Sequence, residues 1–75
     1  MTNLSDLTPR EMEILQLILV GGTNKTIASQ LRISKKTVEF HLDNIYTKIG
    51  ARSRVMVAIW AVGQGIKAEP GATPS

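Results

Sequence analysis

Thr37, His41, Asn44 and Lys48 recur at i, i+4, i+7 and i+11, the spacing that lines side chains along one flank of a helix. Each of them donates a hydrogen bond, or does so in one protonation state. Lys35 and Lys36 stand just ahead of them. Rotating each residue by about 100° from its predecessor turns Lys36, Phe40, Asp43 and Thr47 outward, with Glu39 among the groove-facing positions. Val38, Leu42, Ile45 and Ile49 fall within about 40° of one line on the other side, which is the stripe that faces a core. A polar flank on its own is no more than the wet side of an amphipathic helix. Phe40 argues for a further role, because an outward aromatic costs solubility unless it meets something such as a thymine methyl.

This set holds and reads ligands and does not break bonds. No nucleophile, base and orienting group occur together, and no glycine loop of the phosphate-cradling type is present. Glu11 and Glu13 do not make an acid–base pair, since Glu11 serves as a helix cap and Glu13 points away from it. His41 has neither a cysteine nor a second histidine to build a metal site with. Its reading lies between packing, a surface hydrogen bond and a phosphate contact, the last being preferred. Neither an enzyme, nor a cofactor, nor a small-molecule ligand within the chain is expected.

The elements that must position these residues are marked by caps. Leu7-Thr8-Pro9-Arg10-Glu11-Met12 carries a capping box between Thr8 and Glu11, a proline at the first helical position and a Leu7–Met12 staple. Ile14, Leu15, Leu17, Ile18 and Leu19 continue an apolar face that Gly21-Gly22 ends. Thr23 caps a short second helix, Asn24 to Leu31, of barely two turns, which must lean on its neighbours for stability. Ser34 caps a third from Lys35 to about Ile49, closed by Gly50. Ser53 caps a fourth from Arg54 to about Gln64, where Gly65 and Ile66 form a Schellman-type close. No stretch alternates with period two, so the expected class is all-α: four helices joined by connections of three or four residues.

Charge is concentrated where the reading face lies. The 75 residues carry a net charge of +3. Residues 1–22 hold Arg10 against Asp6, Glu11 and Glu13, whereas residues 23–54 hold Lys25, Arg32, Lys35, Lys36, Lys48, Arg52 and Arg54 against Glu39 and Asp43 alone. A basic middle third is the electrostatic footprint sought for a phosphate-facing surface. The cysteine count is zero, which excludes disulfides and thiolate metal sites. No apolar run approaches the roughly 18 residues of a membrane span. The start Met1 to Asp6 lacks the features of a signal peptide, so a cytoplasmic protein is expected.

A short helix, a three-residue turn and a longer helix are the geometry that lays the second of the pair into a major groove. The runs Leu7-Thr8-Pro9-Arg10-Glu11, Asn24-Lys25-Thr26-Ile27-Ala28 and Ile33 through Gly50, followed by Arg54, resemble the LuxR-type (GerE-like) domain of bacterial transcription regulators. The resemblance implies a four-helix helix-turn-helix fold, a third helix that recognises double-stranded DNA and a fourth that commonly pairs two copies. It departs at Thr26, where the family often has the glutamate of a second capping box, which leaves that box incomplete. It departs also at Ala51, a smaller core group than the usual valine, and at Glu39 and Asp43, which repel phosphate and cannot pair with guanine as arginine would.

Lys25, Lys35, Lys36, Thr37, His41, Asn44 and Lys48 are therefore expected to hold the DNA backbone, and Glu39, Phe40 and Asp43 to face base edges. A carboxylate at Glu39 is expected to favour cytosine. On the fourth helix Val57, Ala58, Ala61 and Arg54 are expected on the core side, leaving Met56, Ile59, Trp60 and Gly63 as an outward stripe for a weak homodimer. The expected organisation is a lead-in at 1–6, the helix-turn-helix domain at 7–66 and a disordered tail at 67–75. A protein-interaction module of the same fold that binds another regulator stays open as the alternative, favoured by Glu39 and Asp43.

Overall fold

The computed structural model describes residues 6–67; the rest of the expected lead-in and tail lies outside the described residues. Four helices follow one another, α1 (Pro9–Leu19), α2 (Asn24–Leu31), α3 (Lys35–Ile49) and α4 (Arg54–Gly63), and no strand occurs among the described residues.

Each helix starts where a hydroxyl can satisfy the free amides of its first turn. Thr8, Thr23, Ser34 and Ser53 accept from Glu11, Thr26, Thr37 and Met56 N–H respectively. Two of the caps are reciprocal. Glu11 Oε1 accepts from Thr8 N–H at 3.0 Å, and Thr26 Oγ1 accepts from Thr23 N–H at 2.9 Å. The second box is thus complete, contrary to expectation: a threonine hydroxyl is short but reaches the cap amide, because Thr26 Oγ1 also donates to Thr23 carbonyl oxygen at 3.0 Å and is held over the turn.

The closes of α1 and α4 have matching geometry. Gly22 N–H donates to Leu17 carbonyl oxygen at 3.0 Å across Gly21, whose φ is +85°, and Ile66 N–H donates to Ala61 carbonyl oxygen at 3.0 Å across Gly65. The tight α2–α3 turn has no glycine. Arg32 takes the left-handed conformation there, with φ of 58°, so that Ile33 N–H meets Ala28 carbonyl oxygen at 3.0 Å and Ile33 packs against the core.

The core draws on every helix: Ile14, Leu15, Leu17 and Ile18 from α1, Ile27 and Ala28 from α2, Val38, Leu42 and Ile45 from α3, and Val57 and Ala61 from α4. α3 packs across both α1 and α2, while α4 lies mainly on α1. The apolar stripe of α3 is therefore fixed from two sides and its opposite face is left outward.

Candidate nucleic-acid interface

With Val38 and Ile45 fully buried and Leu42 nearly so, the helical repeat forces Lys35, Lys36, Glu39, Phe40, Asp43 and Thr47 into solvent, and all six are exposed. Phe40 is 61% exposed in the middle of this face. The His41 ring meets it edge-on, with centroids 5.6 Å apart and planes at 65°. Lys35 and Glu39 also border an open depression of about 730 Å³ that runs to Lys25 and Arg54 and over the α1–α2 turn. The start of α2 and the exposed face of α3 thus form one continuous surface.

The expected hydrogen-bonding flank is more deeply seated. Thr37, His41, Asn44 and Lys48 are all half-buried, forming a shoulder beside the exposed face. Thr37 Oγ1 lies 2.9 Å from Ser34 Oγ and reinforces the start of α3.

Lys48, expected to meet phosphate, makes a bond within the protein. Its Nζ donates to Glu11 Oε1 at 2.7 Å, the oxygen that also caps α1. The Glu11 side chain is only 4% exposed. Burial pushes its carboxyl up, but the hydrogen bonds from Lys48 and Thr8 N–H, with the charges of Lys48 and His41, outweigh burial and hold it below its ordinary value. Glu11 stays ionised and pins the C-terminal half of α3 to the start of α1. Periodicity places Lys48 on a polar flank and gives no sign of a buried acid 37 residues earlier waiting for it.

Arg54, identified in the sequence only as a core-side residue and a family match, is a second clamp. Its Nη1 donates to Asn24 Oδ1 at 2.8 Å and its Nη2 to Gly22 carbonyl oxygen at 2.6 Å. The start of α4 is thereby tied to the α1–α2 turn, and the planar guanidinium spans two acceptors that an ammonium would not fit. The cations that remain exposed and without an ion-pair partner among the described residues are Lys25, Arg32, Lys35, Lys36, Arg52 and, past the end of α4, Lys67.

On α4 the outward stripe is rotated from the expected one. Val57 and Ala61 are fully buried, Ala58 is not, and Trp60 is half-buried against the core. The exposed apolar residues are Val55, Met56, Ile59 and Val62. Of the expected stripe Met56 and Ile59 are exposed, and Trp60 is half-buried, with its indole packed on the core edge and also lining a surface depression with Met56 and Ile59. Gly63 is exposed, and a side chain there would meet nothing within 4 Å.

Comparison with known proteins bears directly on this architecture. The family described as "Bacterial regulatory proteins, luxR family" matches residues 5–61. The chain is 43% identical over 63 residues to the transcriptional regulatory protein LnrK of Bacillus subtilis, covering 84% of this chain and 29% of that protein. To the nitrate/nitrite response regulator protein NarL of Escherichia coli it is 43% identical over 58 residues, 77% of this chain and 27% of the relative. It therefore spans less than a third of the length of these relatives. Among solved structures, the transcription factor GerE superposes with a TM-score of 0.75 at 38% identity, covering 81% of this chain and 91% of that one.

Proposed function

Because the chain belongs to the luxR family of bacterial regulatory proteins, we propose that it binds specific sites in double-stranded DNA by laying α3 in the major groove, and so regulates transcription in the cytoplasm. The observation that carries this reading is the exposed face of α3. Lys35, Lys36, Glu39, Phe40 and Asp43 project from a helix whose opposite side is locked into the core, with α2 behind it as in a helix-turn-helix. Lys25, Lys35 and Lys36 hold phosphates while Glu39, Phe40 and Asp43 face the bases. Thr37, His41 and Asn44, at the half-buried shoulder, are placed to approach the backbone only at close range.

The stripe Val55, Met56, Ile59 and Val62, continued by Gly63, supports pairing of two copies through α4. Trp60 acts as a buttress beneath that stripe. One helix from each copy buries under about 800 Å², too little for a stable dimer in free solution, so the pair forms on a two-fold symmetric site.

A salt titration with generic duplex DNA tests the reading. If Lys25, Arg32, Lys35, Lys36 and Arg52 each neutralise a phosphate, log affinity falls against log salt with a slope of about −4 to −5 per copy. Glu39 and Asp43 favour a second reading, in which the same face binds another protein regulator. A slope near zero, or no binding at low salt, overturns the DNA reading in favour of that alternative.

A further inference from the structure

We infer that Glu39 and Asp43 determine which DNA this chain reads, by selecting two base pairs, about two steps apart, at which cytosine presents its amino group to α3. The inference rests on the DNA-binding reading and goes beyond it to the class of sequence recognised.

Both residues are exposed on the reading face, and neither has an ion-pair partner among the described residues. Lys35 lies one turn before Glu39 and makes no ion pair with it. The two carboxylates are therefore available to a ligand, and four residues of helix separate them by about 6 Å. At about 3.4 Å per base pair, that distance spans roughly two steps.

A carboxylate in the major groove is repelled by phosphates on either side and stripped of water. Only a hydrogen-bond donor on the base edge offsets that cost, and the ionised group has nothing but acceptor sites. Guanine shows O6 and N7 and thymine shows O4, all acceptors, so opposite these bases lone pairs face lone pairs. Cytosine N4 donates. Adenine N6 donates as well, but beside the acceptor N7, a pair that matches the amide of Gln or Asn and not a carboxylate. The selection works mainly by exclusion of the wrong bases. Phe40, on the same exposed face and meeting the His41 ring edge-on, displaces water from the same stretch of groove.

The test is selection of bound sites from a random-sequence duplex pool by the full 75-residue chain and by the variants Glu39→Gln and Asp43→Asn. All three proteins are first checked for equal thermal unfolding, which two partnerless surface residues should leave unchanged. Parent-selected sites are expected to carry cytosine at two positions about two base pairs apart. Glu39→Gln should change one of them to adenine and Asp43→Asn the other, each variant binding the parent site about tenfold more weakly and its own site correspondingly better. Sites unchanged by either variant, or A·T pairs or no base preference at the two parent positions, overturn the inference and leave DNA binding standing. A uniform gain in affinity for all sequences does the same, by reducing the carboxylates to general repellers of phosphate. Failure of the folded parent to enrich any duplex overturns both readings.

Discussion

Replacing Lys48 by methionine should destabilise the fold and leave the electrostatic part of DNA binding unchanged. The substitution keeps the apolar stem and removes the ammonium that lies 2.7 Å from Glu11 Oε1. Removing one partner of a fully buried ion pair costs about 3–5 kcal/mol. Here Lys48 is 33% exposed, so water partly compensates, and Glu11 keeps its bond from Thr8 N–H; the expected loss is about 2 kcal/mol at neutral pH. For a domain of this size that lowers the melting temperature by about 10 °C. Glu11→Gln preserves volume and the capping acceptor and should cost about half as much, and the double variant should lose less than the sum of the two. The pH dependence has a definite sign. The Glu11 carboxyl is held below its ordinary value of 4.5 in the folded protein, so its contribution is complete above that pH and fades as pH falls through the depressed folded value. The gap between parent and Lys48→Met should therefore be widest at neutral pH and shrink as pH falls through the depressed folded value of the Glu11 carboxyl. Circular-dichroism melts across this range, with a salt titration of DNA binding for each protein, measure both quantities. A variant as stable as the parent at pH 7, combined with a salt slope shallower by about one unit, would show that Lys48 meets phosphate and that its bond to Glu11 carries no energy.

Arg54→Leu should lower the denaturant midpoint by the equivalent of about 2 kcal/mol through loss of the bonds to Gly22 and Asn24, and Arg54→Lys should recover less than half of it. Gly50→Ala, at a φ of +71° with open space around the missing side chain, isolates backbone strain and should cost about 1 kcal/mol in equilibrium unfolding. Gly22→Ala should cost more, since its Cβ would lie 2.9 Å from Leu17 carbonyl oxygen, and a neutral result would mean that the α1–α2 turn relaxes freely. On DNA, Ile59→Glu should match the parent on a single half-site and lose cooperative binding on a palindrome; equal cooperativity of the two proteins in a gel-shift titration would place the dimer contact elsewhere.

Helix positions were legible in this sequence because what starts and stops a helix is local. Thr8, Thr23, Ser34 and Ser53 each act on an amide three residues away, and Gly21, Gly50 and Gly65 each relieve strain at their own φ. The outward face of α3 was equally legible, since Val38, Leu42 and Ile45 fix its rotation without reference to any other helix. Tertiary structure decided which polar residues on that helix are free. Lys36 and Lys48 are alike by type and charge, but Lys36 lies on the exposed face while Lys48 meets a buried carboxylate from the far end of the chain. It decided the rotation of α4 as well, where apolar residues nearly surround the helix and the sequence offers no contrast by which to orient it. Packing broke that degeneracy, burying Val57 and Ala61 against α1 and the core and drawing Trp60 over their edge. A pattern of polar and apolar residues specifies a face only when the two differ around the helix; side-chain hydrogen bonds across 30 or more residues leave no period behind them at all.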